Sequence, residues 1–368
     1  MNNLKRSYIR EILDAIDENT ISFAGGLPNE DLFPSKQLKK ASKKVFKNKN
    51  SLQYSKSQGV DSLREKIASF YTKYYDFETS KDEILITTGS QQAFDIILKS
   101  LDAKNLVVES PSYIGALSAF KILKTNIQEF KTFEQLQNIL KKDDIVYSVS
   151  DYQNPSTNTY TKKQREEFAN ILHKKDVYFI EDAAYSLLSF DGKIRKPISR
   201  LYKDKSYHLG TFSKIVAPGL RVGWIRANKE LIEKILAVKE SLDLHTSTFN
   251  QMLIDTYLDE NDVFKHIKKN AKNYKKRMNF MADCMEKYLP NFEFKRPKGG
   301  MFIYGRFNNI DDSMNLAKEA LKENVAFVPA EVFYFDNQKS NEARFNFTNC
   351  DFKKTKKGIK LLSELTKR

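Results

Sequence analysis

The sequence lacks the features of secreted and membrane proteins. Only two of its 368 residues are cysteines, Cys284 and Cys350, which excludes a disulfide framework and is typical of a reducing compartment. No apolar run is long enough to cross a bilayer, and residues 1–14 carry charged side chains where a signal peptide has an apolar core. We therefore expect a soluble cytoplasmic protein that does not act at a membrane.

Acidic residues are outnumbered by basic ones. The chain has 47 Asp and Glu against 62 Lys and Arg, which gives a formal net charge of +15. Such an excess can support nucleic-acid binding. The lysines are spread along the whole chain, however, and pairs such as Lys39-Lys40 and Lys353-Lys354 have no interleaved aromatic side chains. We expect solvated helix faces and no nucleic-acid groove.

Apolar runs that predict strands alternate with amphipathic stretches that predict helices. The predicted strands of this part of the chain are 83–87, 106–109, 145–149, 178–180, 206–209 and 222–225. Such alternation predicts an α/β fold with a mostly parallel sheet covered by helices on both faces. Helices dominate after Asn228, and a smaller α/β pattern follows. We divide the chain into an N-terminal arm (1–40), a large domain (41–265) and a small C-terminal domain (266–368).

Residues 210–224, GTFSKIVAPGLRVGW, contain the pattern with the clearest chemistry. Lys214 lies among small and hydroxyl-bearing residues, and a lysine that is deprotonated by burial or nearby positive charge can form a Schiff base with an aldehyde. Thr211 and Ser213 can donate to a phosphate, and Arg221 can bind it with a planar fork. A phosphorylated aldehyde, pyridoxal phosphate, needs all of these groups. Taken alone, the stretch could also be two strands joined by an ordinary turn.

Polar residues follow several predicted strands, and ligands bind beyond the carboxyl ends of parallel strands. Ser90 and Gln91 begin a helix whose free amides can hold phosphate. Tyr113 could stack on a flat ring, and Asp182 could pair with a protonated pyridine nitrogen. Each has a structural alternative, as an ordinary helix start, a packed aromatic or an aspartate cap.

Three further residues complete the candidate set. Asn154 and Tyr185 can hydrogen-bond a phenolic oxygen, although either could serve a turn or the core instead. Arg344 is the lone charge on one face of a predicted strand. It could bind a substrate carboxylate bidentately, or it could be a surface charge.

Taken together, the motifs resemble the fold type I pyridoxal-phosphate aminotransferases (class I/II), in the branch of the 2-aminoadipate and kynurenine aminotransferases. The resemblance covers nearly the whole chain. It is carried in order by SYIREIL, ISFAGGLPNEDLFP, ITTGSQQAFD, SPSY, QNP, EDAAY, GTFSKIVAPGLRVGW, DLHT with NQML, RPKGGMF and VAFVP. It implies a large domain with a mostly parallel seven-stranded sheet between helices. It also implies a smaller α/β domain formed by the C-terminal part and the N-terminal segment.

The resemblance implies a role for each position and no metal site. Lys214 would hold pyridoxal 5'-phosphate and carry the proton, Asp182 would bind the pyridine nitrogen, and Tyr113 would stack on the ring. Asn154 and Tyr185 would contact the phenolic oxygen. The implied phosphate ligands are Ser90, Gln91, Thr211, Ser213, Arg221 and, reaching the neighbouring subunit, Tyr54. The implied substrate residues are Arg344 for the α-carboxylate, with Gly26 and Asn154 beside it. The position of Tyr54 implies a homodimer with a shared active site.

The sequence departs from the family pattern at three places. Residues 154–157 read Asn-Pro-Ser-Thr where the family has Asn-Pro-Thr-Gly, and residues 181–185 read Glu-Asp-Ala-Ala-Tyr where it has Glu-Asp-Asp-Ala-Tyr. The spacing from Asp182 to Tyr185 is kept. After Pro329, Ala330-Glu331-Val332 replaces the usual glycines. We expect an intact cofactor site, while the substrate preference stays open.

We therefore expect the protein to be an aminotransferase. It would move the amino group of an L-amino acid of the 2-aminoadipate, aromatic or branched-chain type to a 2-oxo acid, with 2-oxoglutarate as the expected acceptor. A lyase that eliminates a β-substituent would share most of these residues. A regulator with a fused DNA-binding domain is disfavoured, because the match already begins by Ser7. The resemblance also implies that Arg10 meets the distal carboxylate of acidic substrates, although helix periodicity alone would leave it solvated.

Overall fold

The computed structural model describes residues 12, 14, 16–102, 104–123 and 125–367. Arg10 and most of the predicted helix around it lie outside these residues. The strands are β1 Ile21–Ser22, β2 Ile84–Thr87, β3 Asn105–Glu109, β4 Asn126–Phe130, β5 Ile145–Ser148, β6 Tyr178–Asp182, β7 Ser206–Thr211, β8 Gly223–Arg226, β9 Phe292–Phe294, β10 Phe302–Phe307, β11 Val325–Ala326, β12 Val328–Pro329 and β13 Glu342–Asn346. The α-helices are α1 Ser35–Val45, α2 Asp61–Phe70, α3 Ser90–Ser100, α4 Ile114–Ile122, α5 Phe133–Ile139, α6 Lys162–Lys175, α7 Lys229–Asp243, α8 Thr248–Glu260, α9 Val263–Tyr288, α10 Ser313–Lys322 and α11 Phe352–Leu365.

A seven-stranded sheet forms the centre of the larger part of the molecule. Its order is β2-β8-β7-β6-β5-β3-β4, and only β8 runs antiparallel to its two neighbours. Helices cover both faces, as alternate residues of β3 illustrate. Val108 packs in a core with α3, α4 and α7, whereas Val107 packs with α5 and α6 on the opposite face. The predicted α/β fold with a mostly parallel sheet is confirmed.

A second, antiparallel sheet in the order β12-β13-β10-β9 lies in the C-terminal part of the chain. Apolar residues of α9, α10 and α11 share its core. The N-terminal segment joins this part because β1 pairs in parallel with β11, with Ile21 opposite Val325. A Cβ on Gly358 of α11 would lie 2.8 Å from the ring of Phe23, so the helix packs closely on the same segment. The domain boundaries at 40 and 265 stay predictions.

Local patterning missed three features of the fold. The edge strand β4 was not predicted, since its sequence NIQEF offers only two buried residues. The glycines and prolines of residues 21–34 predict a loop, but the first two of these residues form β1. The apolar spacing of residues 61–74 predicts one helix, whereas α2 ends at Phe70 and continues as a π-helical turn, Tyr71–Tyr75, that stops at the left-handed Asp76. None of the described helices combines the length and the apolar character that a bilayer crossing requires.

Candidate active site

The carboxyl ends of the central strands carry the residues of the candidate site. β6 ends at Asp182 and β7 ends at Thr211, three residues before Lys214. β2 is followed by Thr88 and Gly89, which precede α3. Parallel strands bring these ends to one edge of the sheet, where ligands bind in open α/β folds. The sequence-predicted residues at these strand ends therefore lie at one edge of the sheet.

Lys214 is half-buried, and its Nζ donates a 2.8 Å hydrogen bond to the carbonyl oxygen of Gly26. This contact places Gly26, from the N-terminal segment, in the same cleft. Burial, together with the positive charges of Arg344 and Arg221, lowers the pKa of Lys214 from 10.5 to about 8, and Asp182 opposes that shift. A lysine in this state has a substantial neutral fraction near physiological pH and can act as a nucleophile or a base.

Asp182 is buried, with 4% of its surface exposed. Its Oδ2 accepts a 3.1 Å bond from the hydroxyl of Tyr147, and its Oδ1 accepts a 3.2 Å bond from the backbone N–H of Ala184. Burial raises the pKa of Asp182 to about 6, while these hydrogen bonds and the charge of Lys214 favour the carboxylate. A buried carboxylate with two fixed donors is suited to pairing with a cationic ring nitrogen.

Arg344 is almost fully buried, at 1% exposure, and is not a surface strand charge. Its Nη1 donates to Oδ1 of Asn154 at 2.7 Å, and its Nη2 donates to the carbonyl oxygen of Ala24 at 2.6 Å. Nδ2 of Asn154 in turn donates to the hydroxyl of Tyr185 at 3.3 Å. Nε of Arg344 is buried without a protein partner. This leaves a donor for an anionic ligand, and burial lowers the pKa of Arg344 only to about 10.

Two aromatic side chains pack against the guanidinium of Arg344, and the sequence motifs assigned neither of them a role. Its central carbon lies 4.1 Å from the ring centroid of Phe302 and 5.0 Å from that of Phe333. Phe302 belongs to the RPKGGMF motif, and Phe333 directly follows the altered segment 330–332. Their spacing to Arg344 in the sequence gives no sign of this contact, since it depends on the pairing of β10 with β13 and on the turn Ala330–Phe333.

Three of the predicted phosphate ligands, Thr211, Ser213 and Arg221, form a hydrogen-bonded cluster. Oγ1 of Thr211 donates to Oγ of Ser213 at 3.0 Å, and Nη1 of Arg221 donates to the same oxygen at 3.4 Å. Nη2 of Arg221 reaches the carbonyl oxygen of Thr88 at 3.4 Å. A Cβ on Gly89, which has a φ of +80°, would lie 2.5 Å from Nη2 of Arg221. Only glycine therefore allows the arginine to lie against the start of α3.

Ser90 is the first residue of α3, and Gln91 is exposed beside it. Nε2 of Gln91 donates to the carbonyl oxygen of Gly115 at 3.0 Å, which joins the start of α3 to the segment that holds Tyr113. Tyr113 is half-buried at the N-terminus of α4. A Cβ on Gly115 would lie 2.5 Å from its ring, so glycine is needed for the ring to lie over the helix start.

Tyr54 lies on the surface of the chain. Its side chain is 79% exposed, and its ring lies edge-on to His245 at 5.8 Å between centroids.

The changed turn at 154–157 keeps a left-handed residue, because Thr157 has a φ of +63° and its N–H donates to the carbonyl oxygen of Gln153 at 2.7 Å. The turn therefore retains a conformation that favours glycine, although threonine occupies it.

The donor set of the cleft fits pyridoxal phosphate. A lysine amine is present for the aldehyde, a buried carboxylate for the pyridine nitrogen, and hydroxyls with an arginine for the phosphate. The backbone at Gly89 leaves room at a helix N-terminus, where anions bind favourably. The model of the family described as "Aminotransferase class I and II" matches residues 18–362.

The chain belongs to this family of aminotransferases. It is 34% identical over 384 residues to aromatic-amino-acid aminotransferase 1 of Thermococcus litoralis, with 99% of this chain and 92% of the relative covered. The structure of Pyrococcus horikoshii kynurenine aminotransferase, solved in complex with PMP, superposes with a TM-score of 0.92 at 34% identity, covering 99% of this chain and 95% of that one. The α-aminoadipate aminotransferase of Thermus thermophilus, complexed with N-(5'-phosphopyridoxyl)-L-leucine, gives 0.91 at 28% identity, covering 99% and 95%.

The aminotransferase is therefore a fold type I enzyme that depends on pyridoxal phosphate, within the branch of the 2-aminoadipate and kynurenine aminotransferases. The resemblance expected from the motifs is confirmed, and so is the cofactor. Amino acids and 2-oxo acids are the substrates of this class. The individual roles of the site residues stay predictions.

Proposed function

We propose that the aminotransferase moves the amino group of an L-amino acid of the 2-aminoadipate, aromatic or branched-chain type to 2-oxoglutarate, through a Schiff base on Lys214. One observation carries this proposal. Lys214, with its pKa lowered to about 8, shares its cleft with a buried arginine, Arg344, that retains an unpartnered Nε. An amine nucleophile beside a carboxylate receptor is what a site for α-amino acids requires.

The chain's own residues divide the work of catalysis. When bound, pyridoxal phosphate supplies an aldehyde that condenses with amines and a ring that stores electrons. Nζ of Lys214 would hold the aldehyde, and the same amine would accept the α-proton of the donor and pass it on. Asp182 would pair with the protonated ring nitrogen, and Tyr113 would stack on the ring. Arg344 binds the α-carboxylate and thereby orients the α-hydrogen toward Lys214.

Two further sets of contacts hold the cofactor in this proposal. Asn154 and Tyr185, which already hydrogen-bond each other, contact the phenolic oxygen. The residues that would bind the phosphate are Ser90, Gln91, Thr211, Ser213 and Arg221. Ser90 and Gln91 lie at the start of α3, where free amides and the positive end of the helix favour an anion, and the other three lie at the end of β7 and in the stretch that follows it.

The aromatic side chains around Arg344 support the proposal that amino acids with apolar side chains are amino donors. Phe302 lies against Arg344. A Cβ on Gly26 would lie 3.4 Å from the Phe302 ring, so this ring also lies beside Gly26, the hydrogen-bond partner of Lys214. Val332, from the altered segment, and Phe333, which directly follows it, are both buried. Acidic donors would need a further cation, and Arg10, which lies outside the described residues, remains our proposal for it.

We also propose a homodimer with a shared active site. Tyr54 is exposed together with other large apolar side chains of the same surface region, namely Phe46, Leu52 and Leu244. Phe46 packs on Phe249 and Tyr54 on His245, which brings these segments together. An apolar patch of this kind marks an interface, and a symmetric dimer would bring Tyr54 to the neighbouring subunit's phosphate.

A donor screen with and without 2-oxoglutarate tests the reaction class. We expect 2-aminoadipate, phenylalanine and leucine to yield their 2-oxo acids only when the acceptor is present, with one glutamate formed per oxo acid. Donors with a leaving group at the β-carbon, such as serine, provide the control. Release of ammonia and pyruvate from serine without any acceptor, and no glutamate formation with the other donors, would show a β-elimination lyase instead.

A further inference from the structure

A buried lysine of α7 contacts the back of the proposed phosphate site. The side chain of Lys239 has no exposed surface. Its Nζ donates to Oδ1 of Asp243 at 2.7 Å, to Oε1 of Gln92 at 3.2 Å and to Oγ1 of Thr246 at 3.4 Å. A buried ammonium is costly unless it is paired and hydrogen-bonded, so three partners at these distances indicate a fixed position.

The network continues from Lys239 to the turn before α3. Oε1 of Gln92 also accepts a 2.8 Å bond from the backbone N–H of Thr88, and Nε2 of Gln92 donates to Oδ2 of Asp243 at 2.6 Å. The hydroxyl of Thr88 donates to the same Asp243 oxygen at 3.2 Å. The backbone N–H of Thr88 is therefore held by Gln92, and its hydroxyl is held by Asp243, the partner of Lys239.

Thr88 is the residue that connects this network to the phosphate ligands. Its carbonyl oxygen accepts from Nη2 of Arg221, and the next residue is Gly89, which lies against the same guanidinium. A shift of Thr88 would move the carbonyl that orients Arg221 and the amides that begin α3. Interactions that hold ligand-binding groups in place matter because small displacements weaken charge-assisted bonds.

We propose that Lys239 is a positioning residue, which acts through Gln92 and Thr88 to fix the turn that binds the cofactor's phosphate. This inference rests on the proposed phosphate site and adds a residue that does not touch the phosphate. The network also reaches the proposed dimer surface. Thr246, which contacts both Lys239 and Thr88, precedes α8, and its carbonyl oxygen is hydrogen-bonded to Nδ1 of His245, against which Tyr54 packs.

The test compares the affinity of the full-length, cofactor-stripped chain for pyridoxal phosphate with its affinity for pyridoxal, which lacks the phosphate. In Lys239→Met we expect the preference for pyridoxal phosphate to fall roughly tenfold, the effect of losing a charge-assisted hydrogen bond, while pyridoxal affinity is unchanged. Lys234→Met is the matched control. It lies on the same helix, its partner is the exposed Glu230, and it should leave the preference unaltered.

A second variant, Gln92→Met, keeps the Lys239–Asp243 pair and its contact with the Thr88 hydroxyl but removes the acceptor of the Thr88 backbone N–H. It should lower the preference as Lys239→Met does, and it serves as the test if Lys239→Met does not fold. If the preference stays at the wild-type level in Gln92→Met, or if both affinities fall in parallel with the melting temperature, the network only supports the fold and the inference is wrong.

Arg221→Ala separates failure of the inference from failure of the proposed function. We expect it to remove most of the preference for pyridoxal phosphate. If Arg221→Ala does so and neither Lys239→Met nor Gln92→Met does, the phosphate site is correct and Lys239 is not its positioning residue. If Arg221→Ala has no effect either, the phosphate is bound elsewhere and both proposals are overturned.

Discussion

A single buried arginine changes the acidity of the lysine that defines the site. Arg344 has no carboxylate partner among its hydrogen bonds, so its positive charge acts on Lys214 without neutralisation from its own contacts. Burial, with that charge added to it, lowers the pKa of Lys214, and the charge of Asp182 only partly compensates. The same cation thus serves two purposes in our proposal, since it binds the substrate carboxylate and keeps more of the lysine neutral.

This arrangement predicts a pH dependence for cofactor capture. The neutral amine is the nucleophile, and the pKa of Lys214 lies at about 8 instead of 10.5, so the rate at which the stripped chain binds pyridoxal phosphate should rise with pH through about 8. Arg344→Met removes the neighbouring charge and should move this inflection to higher pH. Stopped-flow absorbance over a span of about pH 6 to 11.5 measures it, which brackets both the lowered and the ordinary pKa of a lysine.

Arg306→Met is the control for that measurement. Arg306 lies on β10, which pairs with β13, but its side chain is exposed and bound to Glu293. The inflection should stay at the wild-type pH in this variant. An inflection in Arg344→Met that matches the wild type would show that Arg344 does not influence the lysine.

At the scale of elements, the start of α3 determines how closely Arg221 approaches the proposed phosphate position. Gly89 has a positive φ, and any Cβ there would displace the guanidinium. We expect Gly89→Ala to weaken binding of pyridoxal phosphate by roughly tenfold or more, about 1.4 kcal/mol, because the turn and the arginine must both adjust. Equilibrium dialysis of the cofactor measures this change.

Gly219→Ala provides the comparison. Gly219 lies in the lysine-containing stretch 210–224, and a Cβ at this position would meet nothing within 4 Å. Its cofactor affinity should match that of the wild type. Equal affinities in Gly89→Ala and the wild type would show that the contact between Gly89 and Arg221 is not needed for binding.

Elements with strong periodicity or full burial were predictable, and elements defined by pairing were not. The buried strands β5 and β6 are recognisable in the sequence because each begins with an apolar run, and their carboxyl ends locate the cleft. β4 contributes too few apolar residues, and β1 exists only because β11 pairs with it. Contacts between paired strands, such as that of Arg344 on β13 with Phe302 on β10, depend on this pairing and cannot be predicted from local patterning. The motif resemblance supplied the role of Arg344 where alternation alone left it open.

At the scale of the whole molecule, the exposed Tyr54 is explained if a second copy covers it. Mixing Tyr54→Ala with Lys214→Ala then yields hybrid dimers in which one site receives both native residues. We expect recovery of up to about a quarter of the wild-type activity, because half of randomly mixed dimers are hybrids with one intact site each. Activity after subunit exchange, followed by the mass of the dimers, measures it.

The control for this mixing uses two residues of one cleft. Lys214→Ala mixed with Asp182→Ala leaves every site with one defect, because both residues belong to the same chain, so no activity should return. Recovery in this control, or none in the first mixture despite exchange, would contradict a site completed by Tyr54 of the neighbouring subunit.

Reduction of the cofactor-loaded protein with borohydride, followed by mapping of the modified peptide, tests most directly whether Lys214 holds the cofactor. We expect one phosphopyridoxyl group per chain, attached to Lys214, and no such adduct in Lys214→Ala, which should also lose transamination by several orders of magnitude. An adduct on a different lysine in the wild type, or near-normal transamination by Lys214→Ala, would contradict it.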